Sequence, residues 1–197
     1  MSKTKTPLKK VYTKTGDQGK TALISGERLP KNSLVFEVLG TLDEFNASLG
    51  VVVLACGRAP QELQSQEIFQ REKQLLLDLQ NELFKLGAEI AASPRVKLAD
   101  AFVTRLEQEI DFLQDDLGAN WRYKFVLPGG SELSAFLDLS RTICRRLERR
   151  LVSLDNERDV RQVVLQCSNR ISDYLFTLRT WINEQLQIEE VEFDATK

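Results

Sequence analysis

Five stretches of this 197-residue chain place an apolar residue at every third or fourth position, the spacing of an α-helix that hides one face. The first stripe is Val35, Val38, Leu42, Phe45, Leu49 and Val52. After a break at Gly57 to Pro60, a second carries Ile68, Leu75, Leu79, Leu83, Leu86 and Ile90, until Ser93 and Pro94 stop it. A third, from about Asp100 to Leu117, holds Phe102, Leu106, Ile110 and Leu113 and ends at Gly118. The connector 121–130, with Pro128, Gly129 and Gly130, opens a fourth marked by Phe136, Ser140, Ile143, Leu147 and Leu151. The fifth runs from about Arg158 to Leu186 through Val164, Ile171, Leu175, Leu178 and Ile182. No alternation is long enough to seed a sheet, and no repeat appears. The expectation is an all-α fold, an up-and-down five-helix bundle over residues 33–190, with a segment 1–32 before it and a tail 191–197 after it.

Charge narrows the partners. Lys and Arg number 27 against 29 Asp and Glu, so there is no overall field to gather nucleic acid or an anionic membrane, and any anion site must be built locally. Three scattered cysteines, Cys56, Cys144 and Cys167, form no C-x-x-C and read as buried thiols rather than a disulfide frame or zinc site. The chain has no histidine, which removes the commonest general base and metal ligand and any Ser-His or Cys-His pair. No uninterrupted apolar run approaches the ~20 residues of a membrane span. Met1 to Lys10 lacks an apolar core or arginine, as a flexible arm would. These features suggest a soluble, cytoplasmic protein that binds neither nucleic acid nor membrane.

Four places could carry chemistry. The segment Tyr12 to Thr21 is dense in Gly, Lys and Thr without Walker A spacing. Its glycines could turn backbone N–H groups onto phosphates with Lys14 or Lys20 adding charge, or it could be an ordinary solvated loop. On the fourth helix Arg141, Arg145 and Glu148 share a face, away from Phe136, Ile143, Leu147 and Leu151. A guanidinium row of this kind clamps a polyphosphate, or else is a surface face stapled by pairs such as Arg145 with Glu148. On the first helix Asp43 and Asn46 sit one turn apart, off the apolar stripe; Asp43 suits an ion pair with an arginine better than a metal shared with Glu44. The run Phe125 to Gly130 leads into a tight turn and by itself reads as core packing.

In order and spacing these segments resemble the PduO-type ATP:cob(I)alamin adenosyltransferases. The matching blocks are Tyr12–Thr21 with Gly26–Lys31, Gly40–Asn46, and Phe125–Gly130 running into Arg141–Arg149, with a weaker fourth at Asn169–Asp173. The resemblance implies a helical bundle of the ferritin-like or cobalamin adenosyltransferase-like kind, assembled as a homotrimer with active sites shared between subunits. It implies that ATP contacts Thr13, Lys14, Thr15, Gly16, Thr21 and Lys31, together with Arg145, Arg146, Glu148, Arg149 and Asn169. It implies an intersubunit pair between Asp43 and Arg141. It also implies that Phe125 crowds the lower face of the corrin and expels its axial base, leaving cobalt(II) four-coordinate and easier to reduce. Phe125, Arg145, Asp43 and Arg141 are then the catalytic set, with ATP and cobalamin as substrates and Mg²⁺ on the triphosphate. A reductase would supply electrons, and an adenosylcobalamin-dependent enzyme would accept the product. Departures from the family pattern include Phe45 in D-E-L-N, Cys167 and Ser168 where Tyr-Leu often precedes Asn169, and Asp138 where histidine is common. Asp138 could compete with Asp43 for Arg141. Alternatives of other classes are a non-catalytic module that binds or delivers ATP or adenosylcobalamin, and a purely structural helical oligomer.

Overall fold

The computed structural model describes residue 12 and residues 14–120 and 125–196. A short hairpin, β1 (Lys20–Ala22) paired antiparallel with β2 (Arg28–Pro30), precedes the helices α1 (Leu34–Cys56), α2 (Gln61–Gln64), α3 (Glu67–Ile90), α4 (Ala101–Leu117), α5 (Glu132–Asp155) and α6 (Gln162–Gln185). Among the described residues the fold is therefore all-helical apart from that hairpin and one isolated bridge, Val126 with Glu192. The sequence reading missed both, because three-residue strands are too short to show an alternation.

The apolar stripes explain the packing. All six stripe residues of α1 are buried, as are Phe102, Leu106, Ile110 and Leu113 on α4, and the five marked on α6. Each contributes ~1.5–3 kcal/mol on leaving water. α1 packs on α5 and α3, α5 on α6, and α6 on α4. At the α1–α3 crossing, a side chain at Gly87 would approach Leu42 Cδ2 to 3.0 Å, so the missing side chain sets how closely the two helices meet. α1 is long and apolar enough by composition to cross a membrane. Its apolar stripe is occupied by the core instead.

One helix end differs from the sequence reading. α6 begins at Gln162 rather than near Arg158, because Arg161 is extended and Val160 N–H donates to Asp155 Oδ1 at 2.9 Å, closing a turn after α5. Arg161 then spreads its guanidinium over Glu89 (2.5 Å), Asp100 (2.7 Å) and the Leu98 carbonyl (2.8 Å), tying the end of α3 and the following loop to the start of α6. α5 starts cleanly: the Ser131 hydroxyl accepts from Ser134 N–H at 3.0 Å, an N-cap that aims the helix and its arginine face.

Candidate active site

Asp138, Arg141 and Arg145 lie at i, i+3 and i+7 on α5, one face of the helix, and all three line a cleft of about 290 Å³. Phe125, Val126 and Pro128 form one wall, and Asp173, Phe176 and Arg179 of α6 another. Phe125 is 76% exposed, so the run Phe125 to Gly130 is not the core packing that its composition alone suggested. The aromatic ring stands at the mouth of a cleft with two arginines.

Those two arginines are incompletely used within the chain. Arg145 is exposed and has no ion pair or hydrogen bond among the described residues, so the surface staple with Glu148 does not form. Arg141 lies 5.9 Å from the centre of the Phe176 ring and 4.0 Å from Asp138, too far for a hydrogen bond, and its Nε is buried without an acceptor. A buried N–H left unpaired is costly and suits a ligand oxygen. Glu148 instead accepts from Asn169 Nδ2 at 3.0 Å, which joins two of the expected ATP contacts from α5 and α6. Arg146 reaches Glu44 of α1 at 2.5 Å, and Arg149 is exposed with no partner among the described residues.

Asp138 lies within ion-pair range of Arg141, at 4.0 Å, but its hydrogen bonds go elsewhere. It bonds Arg179 Nε at 3.2 Å and accepts from Gly129 N–H at 3.0 Å. Arg179 is 1% exposed and also reaches Glu190 (2.5 Å) and the Leu127 carbonyl (3.4 Å). Asn183 adds bonds to Glu190 (2.9 Å) and the Gly129 carbonyl (3.4 Å). Gly130 is essential to this turn: its φ is +104°, and a Cβ there would fall 2.4 Å from Asn183 Oδ1. The C-terminal stretch docks alongside, with Leu127 N–H on the Val191 carbonyl and Phe193 N–H on that of Phe125, both at 2.8 Å. Sequence reasoning overlooked Arg179, Asn183 and Glu190. The one available signal was an arginine with Leu178, Trp181 and Ile182 close by on a helix whose other marked positions are apolar.

The Gly/Thr/Lys loop is ordered by its own hairpin. Arg28 Nη2 donates to the Thr15 carbonyl at 2.8 Å, Gly19 N–H to that of Gly16 at 3.2 Å, and Lys31 N–H to that of Gly19 at 2.8 Å. The Lys31 ammonium lies 3.3 Å from where a Gly16 side chain would start, so Gly16 leaves room for a cation over the loop. Lys14 has φ +60°, and Lys14, Thr15 and Lys31 are exposed while Thr21 is half-buried in β1. Thr13 lies outside the described residues.

Asp43 is elsewhere. It is exposed, has no ion-pair partner among the described residues, and lines a separate, mostly apolar cleft of about 330 Å³ with Asn46 and Phe84. Asn46 is more buried than its place off the stripe suggested: its Nδ2 donates to the Gln80 carbonyl at 3.3 Å, and Gln80 returns a bond to the Asn46 carbonyl at 3.1 Å.

The cysteines offer no nucleophile. All three are buried and free, and burial pushes the Cys56 thiol up to about 11, Cys167 to about 12 and Cys144 higher still. Among the described residues no three acids or cysteines gather as a metal cage.

Comparison with known proteins covers nearly the whole chain. The cobalamin adenosyltransferase family profile matches residues 11–182. A corrinoid adenosyltransferase of Bacillus subtilis (strain 168) is 38% identical over 190 residues, spanning 95% of this chain and 93% of that one. The corrinoid adenosyltransferase PduO of Citrobacter freundii is 38% identical over 174 residues, 85% of this chain but 48% of its own length, so this chain spans about half of that relative. Among solved structures, a variant of the PduO-type ATP:corrinoid adenosyltransferase of Lactobacillus reuteri, complexed with cobalamin and ATP, superposes with a TM-score of 0.79 at 30% identity, covering 94% of this chain and 97% of the other.

Proposed function

The chain belongs to the cobalamin adenosyltransferase family, and from that premise we propose which of its own residues carry the reaction. It is an ATP-dependent corrinoid adenosyltransferase that moves the 5′-deoxyadenosyl group of ATP onto cob(I)alamin. The observation that carries the residue assignment is the convergence, in one cleft, of an exposed aromatic with two arginines whose hydrogen-bonding capacity the described residues leave largely unspent.

The triphosphate lies between the N-terminal loop and the α5 arginines. Lys14, Thr15, Gly16, Thr21 and Lys31, with Thr13, receive it from one side; Arg145, Arg146 and Arg149, with the bonded pair Glu148 and Asn169, receive it from the other. Cobalt(I) attacks the ribose C5′, a cobalt–carbon bond forms as the C5′–O bond breaks, and triphosphate departs with the electron pair. The charge that grows on the leaving oxygen is met by fixed cations, and no proton has to move, which suits a chain without histidine. Magnesium would be held chiefly by phosphate oxygens and water, which agrees with a chain whose described residues form no cage of three acids.

Phe125 is the apolar wedge under the corrin, and its exposed ring offers a flat apolar face to the macrocycle. Asp43 and Arg141 line different clefts of the same chain, so a bond between them requires a neighbouring subunit. A homotrimer of these up-and-down bundles, each built on five long helices with the short α2 between two of them, supplies one. The apolar cleft around Asp43, with Phe84 70% and Ile24 60% exposed, is surface that such a neighbour would cover. We read residues 1–32 as the phosphate-binding segment, 33–190 as the bundle and 191–197 as the tail. A reductase upstream and an adenosylcobalamin-dependent acceptor downstream complete the setting, in a cytoplasm that keeps the three thiols reduced.

Product analysis tests this assignment. Anaerobic incubation with ATP, Mg²⁺ and chemically reduced cob(I)alamin should yield adenosylcobalamin and inorganic triphosphate in equal amounts. Tight binding of ATP and cobalamin without product would make the protein a carrier or sensor instead.

A further inference from the structure

The least exposed charge near the cleft is the Arg179 guanidinium, and it touches neither proposed substrate-binding row directly. Its three partners belong to three different parts of the chain: Asp138 on α5, the Leu127 carbonyl in the segment that bears Phe125, and Glu190 in the C-terminal stretch. Asp138 in turn fixes Gly129 N–H, and Glu190 is also held by Asn183. Leu127 and Phe125 then exchange backbone bonds with Val191 and Phe193. A guanidinium buried to this degree cannot be left half-paired without a large desolvation cost, so these contacts form together or are lost together.

From this we infer that Arg179 is a positioning residue for the cobalt step: it locks the Phe125 segment and the C-terminal stretch 190–193 into one docked unit, and thereby holds Phe125 at the cleft. The inference rests on the reading of Phe125 as the wedge. Arg179 acts on the corrin only through that segment. The nucleotide side of the site, Arg145 with the bonded pair Glu148 and Asn169, lies C-terminal to Asp138 on α5 and N-terminal to Arg179 on α6, and among the described residues it shares no hydrogen bond with the network. Loss of the lock therefore separates two properties that a general structural defect would damage together: presentation of Phe125 fails, while ATP binding survives.

The test uses the full-length protein with cob(II)alamin and ATP, and reads the four-coordinate cobalt(II) species by electron paramagnetic resonance, with KM for ATP measured alongside on cob(I)alamin turnover. Arg179→Lys keeps the charge but cannot span three acceptors, and Glu190→Gln keeps the shape but removes the partly exposed charge; the second variant guards against misfolding of the first, and helical circular dichroism with a thermal melt is recorded for both. The four-coordinate fraction should fall about tenfold in both variants, with KM for ATP within about twofold of the parent. Phe125→Ala is run in parallel. If Phe125→Ala abolishes the species while folded Arg179→Lys and Glu190→Gln retain it, the inference is overturned and the wedge reading stands. If Phe125→Ala retains it too, the wedge reading itself fails, and the inference with it.

Discussion

Arg158 grips Glu27 with two nitrogens, at 3.0 and 2.9 Å, and so ties the turn of the β1–β2 hairpin to the link between α5 and α6. The hydrogen bond from Arg158 holds the Glu27 carboxyl below its ordinary range, and the pair stays charged at neutral pH. Because the same hairpin carries Arg28 and Lys31 beneath the Thr15–Gly19 loop, this strut sets where the phosphate-binding loop sits relative to the α5 arginines. Arg158→Leu should raise KM for ATP several-fold, on the scale of losing one positioning contact, with kcat and helicity nearly unchanged. Steady-state kinetics at varied ATP checks it; an unchanged KM would mean that the loop finds its place without the strut.

Asp43 and Arg141 should complement each other across subunits. Asp43→Ala and Arg141→Ala should each lose most turnover when expressed alone. Co-expressed and randomly mixed, they should regain roughly a quarter of the sites, since each site then needs one intact acid and one intact arginine from different chains. Activity of the purified mixture measures this. A mixture as inactive as either parent would show that the two residues do not meet between subunits.

Gly130→Ala should be severe for a small change. A methyl group there meets Asn183 at 2.4 Å with the backbone at φ +104°, so the turn must shift and loosen the Phe125 segment. A loss of ~1–3 kcal/mol in unfolding free energy follows from the backbone strain, and chemical denaturation reads it. The four-coordinate cobalt(II) signal should fall as well.

Glu72 makes stability depend on pH. Burial pushes its carboxyl up to about 7, helped by Glu109 of α4 and opposed by the Tyr174 hydroxyl of α6 (2.9 Å) and by Arg71 (3.1 Å). The folded chain therefore holds this proton more tightly than the unfolded one. The resulting stability is present in acid and is lost as the pH rises from the usual carboxylate range to about 7. Glu72→Gln should be the more stable protein at pH 8, by on the order of 2 kcal/mol, with a flatter melting temperature between pH 5 and 7. Melts across that range check the sign; a less stable variant at pH 8 would mean that the charged carboxylate is welcome in the core.

The long helices were legible because each one repeats its burial pattern over about four turns or more, so a single misplaced residue cannot hide the period. Val35 through Val52 on α1 and Val164 through Ile182 on α6 are buried where the spacing put them. What escaped has long-range causes. Asn46 is buried by a bond to a carbonyl 34 residues away, which no local pattern carries. The hairpin is three residues per strand, and its geometry depends on Ile24 N–H meeting the Ala91 carbonyl at the end of α3. The candidate site was half visible: α5 displays Arg141 and Arg145 on one face by periodicity alone, whereas the support for Phe125 comes from Arg179 and Glu190, which meet only when the last helix and the tail fold back.

The most direct measurement of the central claim is the absorbance change of cobalt–carbon bond formation under anaerobic conditions, with ATP, Mg²⁺ and cob(I)alamin, for the parent protein and for Arg145→Ala, alongside ATP binding by calorimetry. Steady turnover in the parent, reduced by about a hundredfold or more in kcat/KM when the unpaired guanidinium is removed, is the expected result. Measurable ATP binding with no cobalt–carbon bond in the parent would contradict it.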